Sequence, residues 1–567
     1  MYCDVNVNMM STMSLDFMLF DKPVVNVGFG NGINGLYNDQ MFLSFDHYKH
    51  VTKSNAVTVA KNETELHMHL DEAIEKKVDS VLELMTIDEK IGQMVQYSAG
   101  WDLTGPASSK SAQDKLDKIE KGLVGSVLNV VSVKEVRKAQ ELAMKSRLKI
   151  PLIFAYDVIH GLKTIFPIPL AESASWDLEL IQKASRIVAK ESAASGLNWT
   201  FAPMIDVSRD ARWGRVMESG GEDPFLNAKV GVARIQGFQG DDLSKENTIA
   251  ACAKHFAGYG FAEAGREYNT VNIGEFELHN SVLPPFKAAA EAGVATFMNA
   301  FNDIDGIPAT GHKILQRDIL KRDWKWGGFI VSDWGSIGEL VDHGYAKDKK
   351  QAAKIALKAG SDMDMESNSY EKHLKQLVSE NSSYIIYVDD AVRRILRLKF
   401  RLGLFDDPFK YCDQEKEKKN IYTKENLAIA KEVARKSIVL LKNENNILPI
   451  SKSINSIAVI GPFANDKNNA LGNWRGKAVY NSAVSLLEGV KAKVDKQTKI
   501  YYEKGIDLTI PTVKPGDNQF MIPLKINSKN KAGITKAVAA AKKAEIVFLA
   551  IGEDAYQSGE GRSYTNI

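Results

Sequence analysis

A short apolar run that ends in polar side chains and gives way to a helical stretch recurs along this chain, and the repetition restricts the fold more than any single motif. It appears at 124–129 (VGSVLN), 151–157 (PLIFAYD), 199–206 (WTFAPMID), 249–255 (IAACAKH), 295–299 (ATFMN), 328–333 (GFIVSD) and 361–365 (SDMDM), with helical stretches such as 171–195 and 275–293 between. Strands alternating with helices assemble most economically as βα units around a parallel sheet. A closed barrel of such units needs about 250 residues, and residues 78–405 supply them. The expected class is α/β: a (β/α)8-type, TIM-like barrel followed by an incomplete α/β sandwich domain.

In a parallel barrel the chemistry sits at the C-terminal strand ends. That focuses attention on 327–335 (GGFIVSDWG), where an apolar run stops at Asp333, followed by Trp334 and a glycine. An acid beside an aromatic plate is a candidate nucleophile facing a sugar. Taken alone, the same residues also suit a strand ending in a solvated turn.

A net charge of +2, with 25% charged and 44% hydrophobic residues over 567 positions, gives no footprint for a nucleic-acid or membrane partner. Lysine clusters at 347–350 and 415–419 read as solvated faces. Cys3, Cys252 and Cys412 are too scattered for a disulfide framework or metal-ligand spacing, and Cys252 reads as core. The chain as written carries no apolar run long enough to span a bilayer and no recognisable secretory signal, and localisation stays open. A capping box at Thr86–Glu89, with Ile87, Ile91, Met94 and Val95 at helical spacing, marks the approach to the barrel. Residues 402–408 (LGLFDDP) mark its end, and the charged stretch that follows makes 406–430 a linker. Apolar runs at 456–461 and 544–552 belong to a second α/β domain, 431–567.

The blocks 156–161 (YDVIHG), 212–215 (RWGR) with 221–224 (GEDP), 254–256 (KHF), 332–335 (SDWG) and 440–443 (LLKN) together resemble glycoside hydrolase family 3, the β-glucosidase group, from about residue 78 onward. The resemblance implies a retaining, exo-acting β-glucosidase with Asp333 as nucleophile. It also implies that Asp157, Arg215, Lys254 and His255 surround the hydroxyls of the innermost sugar. An oligosaccharide or β-glucoside is then the substrate, and no metal or organic cofactor is called for, since two carboxylates about 5 Å apart suffice. Trp334 offers an apolar face for pyranose C–H groups, and Met298 and Phe301 are candidates to line the same pocket. Relatives often carry a tyrosine near the Phe301 position, and its hydroxyl is missing here. Trp474 is a candidate to reach over the pocket from the second domain.

The general acid comes from a variable loop in this family, and Glu553 and Glu560 compete for it. Glu560, in a Gly-flanked loop with an arginine close behind, resembles the family's acid/base context more closely. Within the family, β-N-acetylglucosaminidases use a histidine-bearing barrel loop, but here Tyr259 replaces one histidine and 261–270 (FAEAGREYNT) has none. β-Xylosidase and exo-glucanase activities stay open, because one hydroxymethyl group is worth only about 1–3 kcal/mol of discrimination. A catalytically impaired glycan-binding barrel is the alternative from another class.

Two departures from the family bear on the chain. It stops at Ile567, just past the Glu560 loop, so an apolar edge around 546–551 is expected to lie uncovered and Glu560 to be loosely held. Residues 1–72 do not resemble a hydrolase. The stretches 10–16 and 22–29 resemble the end of a nucleotide-binding lobe of a two-lobed glycosyltransferase or glycerophosphotransferase, and 28–32 falls short of a dinucleotide fingerprint.

Overall fold

Eight short strands follow one another in chain order around a closed, all-parallel barrel: β1 (Val95–Ser98), β2 (Ser126–Leu128), β3 (Ile153–Tyr156), β4 (Trp199–Thr200), β5 (Cys252–Phe256), β6 (Thr296–Asn299), β7 (Phe329–Val331) and β8 (Asp364–Met365). Ladders join β8-β1-β2-β3-β4 and β7-β6-β5. Parallel bridges Trp199–Ala250 and Met204–Lys254 close one seam, and Val331–Met363 closes the other. The structure is a computed structural model that describes residues 6–8, 24–27, 58–99, 112–510, 525–527 and 531–564.

The strands are buried on both sides and largely apolar, with polar exceptions such as Gln96, Lys254, His255 and Asp364, as expected for a parallel barrel wrapped by helices. Trp199 is an interior anchor: its ring meets Phe201 and Phe329 edge-on at 4.9 and 5.3 Å, and its Nε1–H donates to Thr296 Oγ1 at 2.8 Å. The helix Ile385–Arg401 turns Val388, Val392, Ile395 and Leu396 inward at helical spacing. The Thr86–Glu89 capping box forms as the sequence predicts, but its helix ends at Gln93. Met94 and Val95 therefore do not continue the helix. Val95 opens β1 instead, because 95–98 pairs with both β2 and β8, and that pairing overrides a local spacing compatible with either state.

Residues 406–430 are more ordered than a linker. They contain the helix Gln414–Asn420 and the start of Lys424–Lys436. Both are tied to the barrel: Glu417 accepts from the Val133 amide, and Asn426 Nδ2 donates to Glu191. Toward the N-terminus, Asn6–Asn8, Val24–Val27 and Thr58–Ala60 pair in parallel. The helix Glu63–Leu84 then crosses from the first segment into the barrel region and pairs Asp79 with Arg393 at 2.8 Å. Cys3, the stretch 10–16 and the glycine run 28–32 lie outside the described residues.

The second domain places β9 (Ser456–Ile460) between β10 (Lys499–Glu503) and β11 (Ile546–Leu549), all parallel. Val547, Leu549 and Ile551 are exposed along the far edge. No helix among the described residues is long and apolar enough to cross a membrane.

Candidate active site

The polar strand-end residues converge on one cavity of about 490 Å³ at the C-terminal mouth of the barrel. Asp157 follows β3, Lys254 lies in β5, Met298 in β6, Asp333 just past β7 and Met365 in β8. All five line the cavity together with Arg215, Phe301, Trp334, Trp474 and Glu560. His255, next to Lys254, does not line it but stands behind Asp333, with Nε2 3.6 Å from Asp333 Oδ2. Successive strand residues normally face opposite sides, but the β5–β6 register shifts between Ala253 and Phe256, which re-aims this pair.

Lys254 Nζ stands 3.2 Å from Asp157 Oδ1 and 5.6 Å from the Trp474 ring centroid. Burial alone would lower the ammonium's pKa, but the Asp157 carboxylate outweighs it and holds Lys254 above its ordinary value. Arg215 is buried and bidentate on Glu218, with Nε–Oε1 2.8 Å and Nη2–Oε2 3.0 Å, while Trp474 Nε1–H donates to Glu218 Oε1 at 2.9 Å. Its remaining nitrogen, Nη1, has no hydrogen-bond partner and lies 3.5 Å from Glu560 Oε2. Asp206 Oδ2 accepts from both the amide and Nδ1 of His255, each at 2.8 Å. Burial and the Arg215 and Lys254 charges push His255 well below its ordinary pKa. The lowered pKa favours the neutral ring, with Nδ1–H on Asp206 and the unpartnered Nε2 turned toward Asp333.

Asp333 and Glu560 approach the cavity from different domains, with side chains 13% and 9% exposed. Burial and then the charge of Glu560 push the Asp333 pKa up, against Arg215, Lys254 and the Trp334 amide, which donates to Oδ1 at 2.6 Å. Burial likewise raises Glu560, against Arg215 and Tyr268. The two form a coupled pair that resists carrying two negative charges. Glu339 is a further carboxyl on the wall, pushed up to about 7 by burial and by the charges of Asp342 and Glu560. Glu553 is exposed and accepts from Tyr564 Oη, so the cavity contains Glu560 and not Glu553.

Glu560 is not loosely held. The segment 559–564 lies against the barrel loop 212–214 through Gly559 N–H to Gly214 O (2.6 Å), Gly214 N–H to Arg562 O (3.0 Å) and Tyr564 N–H to Arg212 O (3.0 Å). A side chain at Gly214 would put Cβ 2.4 Å from Gly559 O, so this approach requires glycine. The barrel thus fixes the loop directly, independently of the β9–β11 core.

Sequence reasoning passed over Asp206, Glu218, Tyr268, Glu339 and His343. Asp206 ends an apolar run like the others and was visible in principle. Glu218 lies between two of the quoted blocks, whereas Tyr268 and His343 are loop residues without periodic context. Among the described residues no group of three or more His, Cys, Asp or Glu is arranged to hold a metal.

Known proteins resemble this chain over most of its length. Residues 86–398 match the glycosyl hydrolase family 3 N terminal domain and 438–567 the family's C-terminal domain. The chain is 39% identical over 507 residues to a periplasmic β-glucosidase of Salmonella typhimurium, covering 88% of this chain and 65% of that protein. It is 35% identical over 530 residues to a β-xylosidase of Formosa agariphila, covering 89% and 64%. Among solved structures, a β-glucosidase from Listeria innocua in complex with isofagomine superposes with a TM-score of 0.77 at 38% identity, covering 86% of this chain and 65% of that one. The chain therefore spans slightly less than two thirds of the length of these relatives.

Proposed function

We propose that this chain, which belongs to glycosyl hydrolase family 3, is a retaining, exo-acting β-glucosidase that removes terminal non-reducing β-D-glucosyl residues. The observation that carries the reading is the meeting of two largely buried carboxyls from different domains, Asp333 and Glu560, in one pocket walled by Asp157, Arg215 and Lys254, with His255 behind Asp333. In the first step an Asp333 oxygen attacks the anomeric carbon, the glycosidic bond breaks, and the proton of Glu560 goes to the departing oxygen. In the second, water attacks the same carbon, gives its proton to Glu560, and the bond to Asp333 breaks. Each step inverts the carbon, so the product keeps the β configuration.

The electrostatics suit these roles. Burial raises both Asp333 and Glu560, against Arg215, Lys254 and the Trp334 amide at Asp333 and against Arg215 and Tyr268 at Glu560, so the pair holds a proton more readily than two charges, as one acid and one nucleophile require. Asp157 accepts from sugar hydroxyls, and Arg215 Nη1 and Lys254 donate to them. Trp334 and Met298 supply apolar wall. A pocket closed by strand ends suits a chain terminus and hence exo action.

The 35% identity to a β-xylosidase favours a second reading within the same chemistry. The kcat/KM ratio for 4-nitrophenyl β-glucoside over β-xyloside separates the two: a ratio well above one supports the glucosidase, and a ratio below one the xylosidase. Proton NMR of the first-formed sugar tests the mechanism. β-Glucose appearing first supports retention, and α-glucose appearing first rules it out.

A further inference from the structure

We propose that Tyr268 is the positioning residue of the acid/base: its phenol fixes Glu560 Oε1 and leaves Oε2 as the oxygen that exchanges a proton with the leaving group and then with water. The inference rests on the reading of Glu560 as acid/base.

Tyr268 Oη donates to Glu560 Oε1 at 2.7 Å. Its ring is braced edge-on against Phe301 at 5.1 Å and lies tilted to Tyr259 at 6.4 Å. The neighbouring Glu267 anchors the loop. Its carboxyl accepts from Tyr259 Oη and Trp213 Nε1, and its amide donates to Ser563 Oγ at 2.8 Å, three residues beyond Glu560. The same barrel loop thus grips both the side chain and the backbone of the acid/base segment. Phe301 has no hydroxyl, and Tyr268 is the only phenol among the described residues that line the cavity. Burial and the Glu560 charge push the Tyr268 pKa up, so the phenol keeps its proton and acts as a donor throughout. Oε2 is left to Arg215 Nη1 at 3.5 Å among the described residues, and Glu560 lines the cavity. While the glycosidic bond breaks, the Oε2 proton passes to the leaving oxygen. While water attacks, its proton returns to Oε2, and Oε1 stays on Tyr268 in both steps.

A hydrogen bond donated to a carboxylate stabilises the ionised form. Removing it raises the affinity of Glu560 for its proton and loosens its aim. The test compares the full chain, Tyr268→Phe and Glu560→Ala on phenyl and 2,4-dinitrophenyl β-glucosides, since only the poor phenolate leaving group needs acid help. For Tyr268→Phe the expected loss in kcat/KM is about 10- to 100-fold on the phenyl glucoside, with little loss on the dinitrophenyl glucoside. The basic limb of its pH profile moves to higher pH. Equal losses on both substrates, or an unmoved basic limb, overturn the proposal. Glu560→Ala keeps the two readings apart. If it shows no leaving-group discrimination, the acid/base reading itself fails; if it discriminates and Tyr268→Phe does not, only the Tyr268 proposal fails. An unchanged thermal transition of Tyr268→Phe shows that the loss is not one of folding.

Discussion

Asp333 and Glu560 share a poorly solvated space, so each changes what the other does with protons. Because the Glu560 charge is one of the forces raising Asp333, Glu560→Gln lets Asp333 ionise at lower pH. The acid limb of nucleophile trapping by an activated fluoroglucoside is therefore expected to move to lower pH in that variant. An acid limb at the wild-type position would show that the two carboxyls do not sense each other. Hydrolysis of unactivated glucosides by the same variant is expected to fall by about 10²- to 10⁴-fold, the usual worth of a positioned acid. That Asp157, Lys254, His255 and Asp333 sit at strand ends was legible because each closes an apolar run; their grouping around one sugar came from the family resemblance. Tyr268 and Glu218 were not, because their roles depend on which loops meet in space, and nothing in the local spacing of a loop encodes its distant neighbour.

At the scale of elements, the close approach of 559–564 to 212–214 sets the position of Glu560. Gly214→Val collides with Gly559 O and Arg562 and is expected to displace that segment while leaving β7 and Asp333 intact. Turnover of unactivated glucosides should then drop at least tenfold, while trapping at Asp333 by a sugar with an activated leaving group continues near the wild-type rate. If trapping is lost in parallel, the loop and the barrel mouth are one unit and the segment does not act through Glu560 alone. The expectation of a loosely held Glu560 came from weighing only the α/β core of its own domain. Backbone hydrogen bonds to the barrel, which carry no side-chain signature, supply the missing restraint. The same blindness applies to Val95, whose strand state comes from pairing with β2 and β8 and not from its neighbours in sequence.

Over the whole molecule, the repeated strand-and-helix pattern was enough to predict a parallel barrel with its site at one mouth, because alternating strands and helices over more than about 250 residues assemble as βα units around one sheet. Far from that site, Lys399 is fully buried, donates to Gln93 Oε1 at 2.6 Å, and is pushed down to about 7 by burial. Since its unfolded value is about 10.4, the unfolded chain binds the proton that the native chain releases between these values. Native stability from this group therefore rises with pH across that window, by at most about 1.4 kcal/mol per pH unit. Lys399→Met removes the effect. Its stability relative to wild type, followed by denaturant unfolding from pH 7 to 10, is expected to decline as pH rises, and a constant difference contradicts the assignment. The central claim is the covalent role of Asp333, and intact mass with peptide mapping tests it most directly, after incubation with 2,4-dinitrophenyl 2-deoxy-2-fluoro-β-glucoside. A single fluoroglucosyl adduct on Asp333 is the predicted result; an adduct on another residue, or none while the sugar still binds, contradicts it.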